Sequence, residues 1–130
     1  MGDPRELLAV FAGGVVGALA RTELVQEFPP PESGWPWVTF GVNLLGCLLL
    51  GWVVVAARER PPISAYLWPS IGTAFCGALT TISTKQAELF VMLERGRYGL
   101  ALTYAGASLL FGLAGVWIAT AVARQTQPVR

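Results

Sequence analysis

Four long apolar runs, at about residues 7–27, 37–57, 66–93 and 98–123, leave only short polar connections in this chain of 130 residues. A helix needs roughly 20 residues to cross about 30 Å of hydrocarbon, and each run reaches or approaches that length. Inside a bilayer no water serves the peptide groups, so only helices or closed barrels can span it. The connections read as loops: Pro29-Pro30-Pro31-Glu32-Ser33-Gly34 is a rigid polar turn, Arg58-Glu59-Arg60-Pro61-Pro62 a charged stop, and Glu94-Arg95-Gly96-Arg97 a short hairpin link. Trp35, Trp37, Tyr66, Trp68 and Tyr98 stand near the run ends, where aromatic rings anchor at the membrane interface. The expectation is one domain, residues 1–130, an all-α integral membrane protein with four transmembrane helices and both termini on one side.

Composition narrows the function classes. Charged residues make up 13% of the chain against 54% apolar, where a soluble domain carries about 25% charged residues. A net charge of +1 offers no basic surface for nucleic acid. Histidine is absent and both cysteines, Cys47 and Cys76, fall in apolar runs; a transition-metal centre and a disulfide framework are both disfavoured. The acidic residues among Gly2–Glu6 argue against a cleavable signal peptide. Arg5, Arg58, Arg60, Arg124 and Arg130 on one side outnumber Arg95 and Arg97 on the other. That bias favours cytoplasmic termini only faintly, as a dual-topology protein would show. Glycines at helix-packing spacing, among them Gly13 and Gly17, point to close helix contacts and to an oligomer.

One run is not uniformly apolar. Residues 72–88 set Gly72 and Gly77, then Thr80, Thr81, Ser83 and Thr84, then Lys85 and Glu88 between membrane-apolar flanks. Polar groups in a membrane segment mark a pathway or a binding site by default. Gly77 followed by the β-branched pair Thr80-Thr81 is a place for the third helix to break near its middle, exposing carbonyls able to hold a cation such as sodium. The alternative is an intact helix whose threonines bond to their own backbone.

Further polar candidates lie on other runs. Asn43 is the only amide of the second, either an interhelical hydrogen bond or a donor to an ion path. Tyr104, Ser108 and Gly112 recur every four residues on one face of the fourth, as a hydroxyl track or as packing. Arg21 can snorkel to the interface, and Lys85 and Glu88, three apart, can pair along one helix. No nucleophile with a base, no phosphate loop and no paired acids occur in the membrane runs, so an enzyme is not expected. Hydroxyl and amide donors suit an anion.

Three motifs carry a resemblance. Gly13-Gly14-Val15-Val16-Gly17-Ala18-Leu19-Ala20-Arg21, Thr39-Phe40-Gly41-Val42-Asn43-Leu44-Leu45-Gly46-Cys47 and Gly77-Ala78-Leu79-Thr80-Thr81-Ile82-Ser83-Thr84 resemble, in order, the first, second and third helices of the CrcB/Fluc fluoride channels. The resemblance covers essentially the whole chain. It implies a passive fluoride-selective channel in the plasma membrane of a prokaryote, an antiparallel dual-topology dimer in lipid, and two pores along the subunit interface. It also implies a sodium ion on the dimer axis, held by the carbonyls of Gly77 and Thr80. Asn43 would be the pore amide, Tyr104 and Ser108 part of a polar track, and Thr81 and Ser83 part of the fluoride pathway. Arg21 would be the first-helix arginine and Glu88 the acid near the pore mouth.

Two departures stand out. The family pattern has phenylalanines at the pathway positions held here by Ile82 and Lys85. An aromatic edge is a weakly positive partner for an anion; isoleucine offers none, and lysine a full charge that binds fluoride too well to release it, whereas conduction needs weak binding. A heterodimer with a phenylalanine-bearing paralogue is therefore favoured over a homodimer with an altered pore. A small multidrug-type transporter needs an acid in the first helix, which Leu7–Ala20 lacks. A non-transporting assembly subunit leaves the hydroxyl cluster unexplained.

Overall fold

A computed structural model describes residues 3–32, 34–59, 72 and 74–126. All regular structure among them is helical: α1 (Pro4–Glu27), α2 (Trp37–Glu59), α3 (Cys76–Leu79), α4 (Ile82–Glu94) and α5 (Tyr98–Gln125). Three of these are long and apolar enough to cross a membrane, through Pro4–Glu27, Trp37–Ala56 and Tyr98–Gln125. The third apolar run contributes α3 and α4, and its first part, 66–71, lies outside the described residues.

Local chemistry sets the helix ends. Asp3 caps α1, its carboxylate accepting from the Arg5 amide at 2.9 Å, and Pro4 and Glu6 fill the first turn; proline there loses no hydrogen bond and the acid faces the positive end of the helix. The prolines at 29–31 then forbid continuation. Between α4 and α5, Gly96 has a left-handed φ of 71°. That turn lets the Gly96 amide donate to the Leu93 carbonyl at 3.0 Å and the Arg97 amide to the Met92 carbonyl at 2.8 Å, closing α4 with a Schellman motif. So short a link makes α4 and α5 neighbours.

α2 packs along α5, α1 on α3, and α4 on α5. Glycine makes two of these contacts close. A Cβ on Gly17 would lie 2.5 Å from the Phe75 carbonyl oxygen, and one on Gly51 2.8 Å from that of Val116. A buried cluster of Met92, Ala101 and Tyr104 is enclosed by Trp35, Phe40, Leu89 and Leu100. Trp35 meets Tyr104 edge-on with centroids 5.2 Å apart, so it belongs to this cluster, while Trp37 keeps the exposure expected of an interface anchor. Leu7, Leu8 and Phe11 of α1 and Leu109, Leu110 and Trp117 of α5 are exposed. In water such faces would be costly; in hydrocarbon they are ordinary.

Candidate ion pathway

The site is built around two residues between α3 and α4. Thr80 and Thr81 carry extended backbone (φ −75°, ψ 146° and φ −141°, ψ 115°); the Thr80 amide still closes α3 on the Cys76 carbonyl at 3.0 Å, while the Thr80 carbonyl and the Thr81 amide leave the helical ladders. Their neighbours meet the loss unevenly. Asn43 on α2 takes both groups of Thr81: its Oδ1 accepts from the Thr81 amide at 2.8 Å and its Nδ2 donates to the Thr81 carbonyl at 3.3 Å. Thr81 Oγ1 caps α4 by accepting from the Thr84 amide at 3.1 Å, and lies 3.1 Å from Ser83 Oγ. The amide of Asn43 is thus committed to the peptide of Thr81.

The carbonyls of Gly77 and Thr80 are not met in this way. The Gly77 oxygen accepts from Thr80 Oγ1 at 3.5 Å only, a long contact, and among the described residues the Thr80 oxygen accepts no hydrogen bond. Gly77 is exposed, and a Cβ there would touch nothing. Gly46 on α2 admits the Thr80 side chain, whose methyl would clash with any Cβ at that position.

A groove of about 490 Å³ opens on this face. It brings together Asn43, Gly77, Thr80, Thr81, Ile82, Lys85 and Ser108. Phe40, Phe111 and Cys47 are also in its wall, with the rings of Phe40 and Phe111 edge-to-face at 6.0 Å. Ser108 Oγ is buried and has no hydrogen-bond partner. Lys85 forms no hydrogen bond or ion pair with any described residue.

Glu88 and Tyr104 stand elsewhere. Tyr104 is fully buried and donates to Glu88 Oε2 at 2.8 Å, while Thr39 on α2 donates to Glu88 Oε1 at 2.5 Å. The expected Lys85–Glu88 pair is replaced by these two hydroxyls, because Glu88 turns inward between α2 and α5. Glu88 and Thr84 border a second cavity of about 340 Å³, with Arg95 and Arg97 at its rim. Both arginines donate to the Glu32 carbonyl, at 2.6 and 3.3 Å. Ser83 and Arg21 line neither cavity.

Thr39 and Phe40, which open the second-helix motif without a role assigned to them there, and Phe111 also belong to these clusters. Thr39 and Phe40 precede Asn43 by four and three residues, and Phe111 follows Ser108 by three, so helical periodicity alone sets each beside a chosen residue.

The fold and the site define an all-helical, multi-pass membrane protein with an extended polar segment facing a groove of hydroxyl, amide and ammonium donors. The sequence profile of the family described as CrcB-like protein, Camphor Resistance (CrcB), matches residues 8–120. The chain belongs to that family, which sets it apart from enzymes. It is 46% identical over 125 residues to the fluoride-specific ion channel FluC 1 of Mycobacterium bovis, covering 96% of this chain and 95% of that one. It is 39% identical to the fluoride-specific ion channel FluC of Stutzerimonas stutzeri, over 92% of this chain and 98% of that one. It is 38% identical to the fluoride-specific ion channel FluC 2 of Nocardia farcinica, over 94% and 87%.

Proposed function

We propose that the chain is a subunit of a passive fluoride channel that releases cytoplasmic fluoride through the plasma membrane of a prokaryote. The observation that carries the reading is the 46% identity to a fluoride-specific channel across 96% of this chain. The groove adds chemical support. Fluoride is small and tightly hydrated, so a path for it must replace water with strong donors, and Ser108 and Lys85 offer such groups. Hydrogen fluoride enters cells as a neutral acid and ionises in a near-neutral cytoplasm. An inside-negative potential then drives the anion outward by about 2.3 kcal/mol per 100 mV.

In this reading α3 and α4 are two halves of one interrupted span, the third of four, and the subunit works as an antiparallel dimer of dual topology. The open face at Gly77 and the exposed apolar sides of α1 and α5 support a second subunit. A sodium ion fits the chemistry of this face: the Gly77 and Thr80 carbonyls point to no strong donor, and hard cations take oxygen ligands. Two carbonyls are too few to enclose the ion, so the partner would supply the remainder. A bound sodium would place a fixed positive charge between the subunits; the chain's part is to hold Thr80 and Thr81 extended through Asn43.

The partner is a phenylalanine-bearing paralogue rather than a second copy. Ile82 is 70% exposed on the groove side and offers an anion no positive edge, and Lys85 beside it holds an anion instead of passing it. Fluoride efflux from liposomes, read with a fluoride electrode, tests the reading. The expected result is rapid efflux from this chain co-expressed with a neighbouring family member, and little from this chain alone. Equal rates would remove the heterodimer; no flux from either would remove the channel.

A further inference from the structure

Two connectors meet at one end of the bundle over a pair of arginines. The left-handed turn at Gly96 sets Arg95 and Arg97 on either side of the link between α4 and α5. Both guanidiniums donate to one neutral acceptor, the Glu32 carbonyl of the proline-rich connector. Among the described residues neither forms an ion pair, even with Glu94 next to Arg95 in the chain. Each guanidinium carries five N–H donors in a planar fork, so most of them stay open. Paired forks of this kind match the oxygens of a phosphate.

The cavity of about 340 Å³ that the arginines border follows one face of α4. Thr84, Ala87, Glu88, Val91, Met92 and Arg95 line it, at the three- and four-residue spacing of a single helix stripe. From Thr84 to Arg95 the helix rises about 16 Å, close to the roughly 15 Å of hydrocarbon in one leaflet. Val25 of α1 and Pro36 face that stripe. Glu88 at its foot is already closed by Thr39 and Tyr104, while Ala87 and Val91 are exposed. Trp37 and Tyr98, exposed at the starts of α2 and α5, put the arginine end at the membrane interface. A cationic head over an apolar stripe one leaflet deep is the complement of a phospholipid.

We propose that this groove is a phospholipid site. The phosphodiester docks on Arg95 and Arg97, and one acyl chain lies along the α4 stripe against Val25 and Pro36. The phosphate supplies the anionic acceptor that the arginines lack, and the chain covers the exposed apolar wall. The site rests on the membrane placement of the chain and not on the ion that it passes.

Native mass spectrometry of the detergent-purified full chain tests this with dioleoyl phosphatidylglycerol, dioleoyl phosphatidylethanolamine and dioleoylglycerol. Both phospholipids are expected to bind, and the phosphate-free diacylglycerol to bind about tenfold more weakly or less. Joint Arg95→Gln and Arg97→Gln substitution is expected to weaken phospholipid binding about tenfold or more. Unchanged binding in that double variant would overturn the site. Equal binding of the diacylglycerol would overturn it too, because the contact would then be apolar alone. Sodium phosphate separates a lipid from a free anion. If it raises the thermal midpoint through the two arginines while no phospholipid binds, the site belongs to a free anion and the proposal falls. Should the double variant fail to fold, Ala87→Phe decides, since it fills the groove and keeps both arginines; unchanged phospholipid binding there would overturn the proposal.

Discussion

Polar side chains gather in two places beside Thr80 and Thr81, and they differ in how far their bonds are closed. At Glu88 each carboxylate oxygen has its own hydroxyl, from Thr39 forty-nine residues away and from Tyr104 sixteen away. In the groove, Lys85 has no partner among the described residues and Ser108 Oγ is buried alone. The first cluster ties α2, α4 and α5 together and is a fixture of the fold. The second leaves its donors unpartnered in the wall of a groove, which is what a site for a mobile ion requires. Asn43 joins the two, since it fixes the peptide of Thr81 from which both sides are built.

Substitutions should separate the clusters by size of effect. Asn43→Leu is expected to be the most damaging, because it strands the buried amide of Thr81, at about 1–3 kcal/mol, and removes the side-chain donor from its carbonyl. Thermal unfolding in detergent, together with the yield of monodisperse protein, measures it. Survival of Asn43→Leu with an unchanged midpoint would show that Thr81 has other partners. Glu88→Ala comes next: it leaves the Thr39 and Tyr104 hydroxyls without their acceptor, and bonds to a charged group contribute about 1.5–3 kcal/mol. Tyr104→Phe should lose less, having one bond to lose. Equal melting points for Glu88→Ala and the parent would break the contrast between closed and open clusters.

Gly17→Ala should follow, at about 1–3 kcal/mol, since its Cβ would press to within 2.5 Å of the Phe75 carbonyl oxygen and force α1 off α3. Lys85→Met should have the smallest effect on stability, within about 0.5 kcal/mol or in the stabilising direction, because no described partner is lost. A large destabilisation on Lys85→Met would mean that the ammonium is part of the fold and that the groove is closed like its neighbour.

These regions also differ in how far the sequence disclosed them. Hydropathy disclosed an all-helical membrane protein, because length and apolarity are averages that need no knowledge of contacts. The extended backbone at Thr80 and Thr81 falls where glycine and a β-branched pair stand in a polar run, a purely local signal. The Glu88 cluster depended on contacts between helices distant in sequence. Spacing along α4 suggested Lys85 as the partner of Glu88, and only the packing of α2 against α5 brought Thr39 and Tyr104 to it first. Tyr104 and Ser108 stand one turn apart on one face, a spacing that fits either a hydroxyl track or packing. Tyr104 is closed into the core against Trp35 and Met92, while Ser108 lies in the groove wall. Asn43 was open between a structural bond and an ion path, and its two bonds to Thr81 show the structural part of its work.

In the proposed heterodimer, Ile82 and Lys85 are the residues that would keep this chain from conducting by itself. The direct test is single-chain fluoride efflux from liposomes after the double substitution Ile82→Phe and Lys85→Phe, compared with the parent chain. A rise of about tenfold or more is expected with no partner present, equivalent to lowering a barrier by roughly 1.4 kcal/mol. A folded double variant that conducts no better than the parent would contradict it.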